Sequence, residues 1–323
     1  MVRVGIIGTG RHGSRYAGHI QNDVDGLELV AISRRSEQGR EQARQWHCSW
    51  YRDWRDLVAA PEVEAVISVV PPAFNLEIAR SCAAATKPLL VEKPLAARVA
   101  EGEAMVALAT EGKNRFTLTV GQTLRYNQVI RGLRRHLPEF GSLYCFSANQ
   151  RLEPSTLSWH EEPSVAGAGV SFHTAVHVFD ALRFITDLEV HRVMAVTRQQ
   201  HNASLEDLVA VLVEMENGVA GTLDCSKVGR ARSGRFEFIC ENGQLHGEQI
   251  YNQLERIQGT RRVSLDPGPA VSTIVPLLRD WHDFLSGTAD NPVNGEDGLQ
   301  ALRCCAACLE SARRQQWVDI PRR

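Results

Sequence analysis

A strand-like run, Val2-Arg3-Val4-Gly5-Ile6-Ile7, leads straight into Gly8-Thr9-Gly10-Arg11-His12-Gly13, and a helix-spaced segment follows. No other stretch constrains the fold as strongly. In a strand-turn-helix unit the first glycine of G-x-G-x-x-G permits a tight turn, the second lets the backbone approach a pyrophosphate, and the third lets helix and strand pack closely. Open N–H groups and the positive end of the helix dipole then meet the phosphate charge. Gly8, Thr9, Gly10, Arg11, His12 and Gly13 are therefore candidate dinucleotide-binding residues.

The rhythm of short apolar runs and helical segments continues, with strands expected over 3–8, 28–33, 65–70, 88–92 and 117–121 and helices over 13–22, 37–47, 75–84 and 99–110. Runs such as Val66-Ile67-Ser68-Val69-Val70 lack polar alternation, as expected of parallel strands buried on both faces. This is a doubly wound α/β pattern. Further on, Asn217-Gly218 separates strand-like runs at 208–215 and 220–225, and Asn242-Gly243 follows another at 235–241. Such turns predict a large open, mostly antiparallel sheet, flanked by helices over 128–137, 175–185, 278–285 and 295–316. The expected division is a dinucleotide-binding domain at 1–121 and a second α/β domain at 122–323.

A length of 323 residues supports two such cores. Thirty-six Lys and Arg against thirty-eight Asp and Glu leave a formal charge of -2, which offers no general attraction to nucleic acid or an anionic membrane. Neither is expected as a partner. The apolar runs stop well short of the ~20 residues of a membrane helix, and the first residues carry no leader pattern, so a cytoplasmic protein is expected. The eight cysteines show no paired spacing of a secreted framework. Cys305-x-x-Cys308 lies in a helical segment with no second pair, so its thiols read as buried and structural, and no metal site is expected.

At the end of the second strand, where an acid would accept from a free ribose 2′-hydroxyl, the chain reads Ser33-Arg34-Arg35-Ser36. Two guanidinium groups and two hydroxyls suit a 2′-phosphate better, so NADP is favoured, with NAD still possible. Glu92-Lys93-Pro94 ends the fourth strand, at the carboxyl edge where open α/β sheets bind ligands. Further along, Gly167-Ala168-Gly169 approaches a helix start carrying His173 and His177, four apart, with Asp180 three beyond. If the segment is helical, the two histidines share a face, and either imidazole is a possible general base. The glycines suit close access to a ligand. A competing reading makes His173 and His177 metal ligands, with Asp180 or His160.

A nucleotide-binding turn, a Glu-Lys-Pro element and a glycine-rich approach to a histidine-bearing helix, in that order, resemble the glucose-fructose oxidoreductase / inositol dehydrogenase / rhizopine catabolism (Gfo/Idh/MocA) family. Arg125-Tyr126-Asn127 and Gly295-Glu296-Asp297-Gly298 extend the likeness over nearly all of 3–320. The resemblance implies a Rossmann domain, then an α/β domain whose sheet forms the subunit contact of a homodimer or homotetramer. It implies NAD(P)-dependent hydride transfer at a carbinol carbon of a small-molecule polyol or sugar-like substrate held between the domains. Lys93 and His177 match the family's lysine and histidine, while His173 stands where many members carry an aspartate. Val70, Pro71, Pro72, Asn75, Glu92, Lys93 and Gln122 join Ser33, Arg34 and Arg35 as expected cofactor contacts. Arg125, Tyr126, Trp159 and His160 join His173 and His177 as expected substrate contacts. Two alternatives stay open within the same family: a cofactor-retaining enzyme of glycosidase-like, net non-redox outcome, and a non-catalytic sensor of NAD(P) or sugar.

Overall fold

The computed structural model describes residues 1–111 and 116–321, which form two compact units: Met1–Gln122 with Ser272–Leu299, and Thr123–Val271 with the chain from Gln300 onward. In the first unit six parallel strands, β1 (Val2–Ile7), β2 (Leu27–Ser33), β3 (Ser49–Tyr51), β4 (Ala65–Ser68), β5 (Leu89–Glu92) and β6 (Leu118–Gly121), lie in the order β3-β2-β1-β4-β5-β6. Strand order reverses between β1 and β4, so their carboxyl ends open the crevice that doubly wound sheets use for ligands. Helices α1 (Arg11–Asn22), α2 (Gln38–Gln45), α3 (Trp54–Ala59), α4 (Asn75–Ala84) and α5 (Val99–Thr110) connect the strands. Val66, Ile67, Leu89, Leu90 and Val91 are all 0 % exposed. Because successive side chains point to opposite faces, both faces of the sheet are covered, each such side chain contributing about 1.5–3 kcal/mol.

Two elements here have no counterpart in the periodicity. β3 is three residues of mixed polarity, and α3 is a six-residue helix announced only by Asp53, whose carboxylate accepts from Arg55 N at 2.9 Å. Elements this short hold too few residues to display a repeat.

In the second unit β7 (Leu143–Arg151), β8 (Val190–Arg198), β9 (Leu208–Met215), β10 (Ala220–Ser226), β11 (Arg235–Cys240), β12 (Gly243–Glu248), β13 (Gln253–Gln258), β14 (Arg261–Leu265) and β15 (Val318–Asp319) form one sheet in the order β14-β13-β12-β11-β7-β10-β9-β8-β15. Only the β7–β10 pair is parallel. Gly218, at φ 85°, makes the β9–β10 turn that Asn217-Gly218 predicted. Val209, Val211 and Val213 are buried while Leu212 is 50 % exposed, so this part of the sheet packs on one face and is open on the other. Helices α6 (Gln128–His136), α7 (Pro163–Ala166) and α8 (Val176–Thr186) belong to this unit.

The chain then returns to the first unit through α9 (Ile274–Leu285), whose Trp281 is fully buried, and α10 (Gly295–Arg314) begins there and ends in the second unit. A reading of two consecutive stretches does not contain this return, because an apolar helix stripe announces burial without saying against what. On α10, Cys304, Cys305 and Cys308 are buried, and burial pushes the Cys304 thiol up to about 12. All eight cysteines are unpaired thiols. Among the described residues no helix is long and apolar enough to cross a membrane.

Candidate active site

The glycine turn is built by steric necessity. Gly8 sits at φ +89°, and a β-carbon there would lie 2.4 Å from the Val69 carbonyl oxygen. At Gly13 it would lie 2.0 Å from the Gly8 carbonyl oxygen, so only glycine lets α1 pack this closely on the turn. Gly10 caps α1 with no side-chain capping bond, and nothing lies within 4 Å of where its β-carbon would be. The first N–H groups of a helix have no partner within it, and with open space at Gly10 the cradle fits a pyrophosphate. Arg11 and His12 are the first two residues of that helix.

Arg34 lies beside this turn. Its guanidinium donates to the Thr9 carbonyl at 2.7 Å, to Gln42 Oε1 at 3.1 Å, to Ser36 Oγ at 3.0 Å and to Gln38 Oε1. All four acceptors are neutral. Gln42 ties the same corner together, accepting from Thr9 Oγ1 at 2.7 Å and donating to the Thr9 carbonyl and Ser14 Oγ. Ser33 is buried at the end of β2 and its carbonyl accepts from Gly8 N at 2.9 Å, whereas Arg35 is exposed and lies over the Phe74 ring.

Glu92 is buried at the carboxyl end of β5, where it meets His12 Nε2 at 2.8 Å and accepts from the Tyr16 hydroxyl and from Lys93 N. Burial opposes its charge, yet the His12 and Tyr16 bonds and the Lys93 ammonium outweigh burial and hold the carboxyl below its ordinary range. Burial, reinforced by Glu92, pushes the Tyr16 hydroxyl well above its ordinary value. Lys93 is half-buried, and a cis peptide joins it to Pro94. Pro71 and Pro72 turn the chain from β4 into α4, with Val70 packed toward Gly8. Asn75 is 1 % exposed and donates to backbone carbonyls of the Lys-Pro turn. Gln122 is fully buried, and its amide has no hydrogen-bond partner among the described residues.

In the second unit, Arg125 grips Asp180 of α8 through two bonds, Nε to Oδ2 at 2.8 Å and Nη2 to Oδ1 at 2.6 Å. Asp180 is 0 % exposed. Arg125 thus braces α8, and Tyr126 is buried beneath Arg131. His177 is half-buried in the first turn of α8, between fully buried Val176 and Val178. His173 lies in a π-type turn, Ser171–Ala175, that precedes α8. Single π turns inside helices are frequent at functional sites.

The His173 ring stacks on His160 at 4.1 Å between centroids and 11° between planes, with Trp159 edge-on to both. His160 and His173 line a pocket together with His201, Asn202 and Lys227. As for metal binding, the Asp180 carboxylate is taken up by Arg125, and among the described residues no group of three or more His, Cys, Asp and Glu is arranged to hold an ion. The close approach announced by Gly169 is to protein rather than ligand: a β-carbon there would lie 1.9 Å from the Glu206 carbonyl oxygen.

Glu206 is a residue the sequence reading missed. Its buried carboxylate accepts from Gly169 N and Ser171 N, which fixes the start of the histidine-bearing helix. An acid immediately before a strand carries no distinctive signal. Tyr16 had one, standing four residues after His12 on α1, where i and i+4 share a face.

Residues 2–121 match the oxidoreductase family with NAD-binding Rossmann fold, and residues 139–246 match the GFO/IDH/MocA C-terminal domain. The chain belongs to the GFO/IDH/MocA family of oxidoreductases. Inositol 2-dehydrogenase 1 of Saccharopolyspora erythraea is 29 % identical, covering 99 % of this chain and 96 % of that protein. Levoglucosan dehydrogenase of Pseudarthrobacter phenanthrenivorans is 24 % identical over 83 % of each. A solved structure of levoglucosan dehydrogenase with NADH and levoglucosan superposes with a TM-score of 0.89 at 23 % identity, covering 99 % of this chain and 100 % of that one.

Proposed function

We propose that the protein transfers hydride between NADP and a carbinol or carbonyl carbon of a sugar, cyclitol or related polyol. The observation that carries this reading is the half-buried Lys93 at the carboxyl end of β5, next to a glycine cradle open to a pyrophosphate, in a chain of this oxidoreductase family. The bound nicotinamide supplies the hydride acceptor or donor. Lys93 hydrogen-bonds the reacting oxygen and offsets charge developing on it. His177 takes the hydroxyl proton in oxidation and returns it in reduction. His173, stacked on His160, positions substrate instead of supplying the fixed negative charge of an aspartate. Sugar and cyclitol substrates are supported by the names of the relatives.

The NADP preference rests on Arg34, because a guanidinium held among the described residues by neutral oxygens at the end of β2 keeps its positive charge available to a 2′-phosphate. A panel of sugars, cyclitols and lactones with NADP(H) and NAD(H), followed at the nicotinamide absorbance, tests both assignments. NADP is expected to give the higher kcat/KM, and Arg34→Asp to cut that preference by about ten- to a hundredfold, the size of one charged hydrogen bond. Equal or better use of NAD by the unaltered protein refutes the cofactor assignment. Turnover of none of these compounds refutes the substrate class.

The open face of the second sheet exposes Val196, Leu212 and Cys145. An apolar surface of this kind supports a homodimer or homotetramer formed through it, which light scattering coupled to size exclusion measures directly.

A further inference from the structure

The geometry points to Asn75 as a positioning residue: it sets the backbone from which Lys93 emerges, and does so without touching the cofactor. This rests on the reading of Lys93 as the group that faces the substrate oxygen. β4 and β5 are parallel neighbours with Ser68 opposite Val91, so their carboxyl ends lie side by side. Asn75 is the first residue of α4 and sends its side chain across those ends. Its Nδ2 donates to the Leu95 carbonyl at 3.1 Å and reaches the Pro94 carbonyl at 3.5 Å. Its Oδ1 accepts from Ser68 Oγ at 3.3 Å.

The chemistry of the amide suits this place. Ser68 requires an acceptor, and the two carbonyls require a donor, and a carboxamide offers both in one plane. An aspartate would accept from Ser68 but, when ionised, would face the carbonyls with a negative charge. Pro94 and Leu95 are buried while Lys93 is half-buried, so the turn is fixed in the protein and only the lysine side chain is left to adjust. From the other side, the Glu92 carboxylate accepts from Lys93 N at 3.2 Å. Lys93 N is therefore held by a side chain of β5 and the two residues that follow it by a side chain of α4, and Asn75 is the one whose loss leaves two buried carbonyls without their donor.

Hydrogen exchange by mass spectrometry on the cofactor-free protein tests the clamp independently of activity. In Asn75→Ala, peptides covering 93–98 are expected to exchange at least about tenfold faster than in the wild type, while peptides from β4 and β5 keep their rates. Ser68→Ala removes only the hydroxyl that orients the amide and is expected to speed the same peptides about two- to fivefold, so it serves if Asn75→Ala does not fold. Unchanged exchange over 93–98 in the folded variant overturns the proposal.

With a substrate from the panel, Asn75→Ala should lower kcat by about ten- to a hundredfold and leave the cofactor Kd within about threefold, since the reacting group is displaced but the cradle is not. A matching rise in cofactor Kd would show direct contact with the cofactor and overturns it. If no compound turns over, the hydride-transfer reading fails while the exchange measurement still decides the clamp.

Discussion

Replacing Lys93 by alanine is expected to lower kcat by about 10²–10³-fold, with the cofactor Kd changed no more than a few-fold. The magnitude is that of one donor removed from a developing oxyanion. The split between kcat and Kd follows from where the residue sits. Lys93 lies on the turn after β5, whereas the phosphate cradle is made by the β1–α1 turn and needs only its glycines and backbone N–H groups. Single-turnover hydride transfer together with cofactor titration by fluorescence reads both quantities. Full turnover in Lys93→Ala removes the role proposed for the lysine, whereas an intact cofactor response with no turnover even in the wild type counts against the enzyme assignment and favours a sensor.

The second large effect concerns stability. Asp180→Ala is expected to destabilise the second unit by about 3–5 kcal/mol, because it removes the carboxylate that makes two bonds to the Arg125 guanidinium, whose side chain is only 12 % exposed. Arg183 makes the consequence sharper, since its Nη1 also lies 3.9 Å from Asp180 Oδ1, although its main partner is Glu189. A loss of that size corresponds to a fall in Tm of roughly 6–20 °C, readable by calorimetry. The double variant Arg125→Met/Asp180→Leu should recover much of the loss, because a packed apolar pair replaces a buried ionic one at little or no cost. If Asp180→Ala shifts Tm by less than about 2 °C, the pair is not the brace described above. The same single variant is expected to lower kcat as well, through α8 and the half-buried His177 carried one turn before Asp180.

Why some of this was legible in the sequence and some was not follows from the range of the interactions. The glycine turn was readable because its constraint is local: Gly13 answers to the Gly8 carbonyl five residues back, and Gly8 and Gly13 both approach Val69 on the neighbouring strand's exit. The strands of the first sheet were readable because burial on both faces leaves an unbroken apolar run, as at Ala65 to Ile67. The outer strands β13 and β14 were not, since Gln253–Gln258 and Arg261–Leu265 are mixed or polar, and only pairing with a neighbour makes them strands.

At the site, residue types were readable while partners were not. Arg125 was assigned to the substrate on its type, yet its two strong bonds go to Asp180, 55 residues away. Gly169 announced a close approach but not to what, and the answer, Glu206, lies 37 residues on. Asn75 was placed beside the cofactor, and its bonds reach Pro94 and Leu95, held apart from it in sequence by β5. Long-range pairing of this kind has no periodicity for a sequence to display.

The polypeptide passes from one unit to the other at 122/123, 271/272 and 299/300, the last crossing falling within α10. Neither half can therefore be excised by cutting the gene once. A fragment ending at 122 would lack the helix carrying Trp281 and leave greasy surface bare, and exchange of substrate modules between relatives would need three matched junctions, one of them inside a helix.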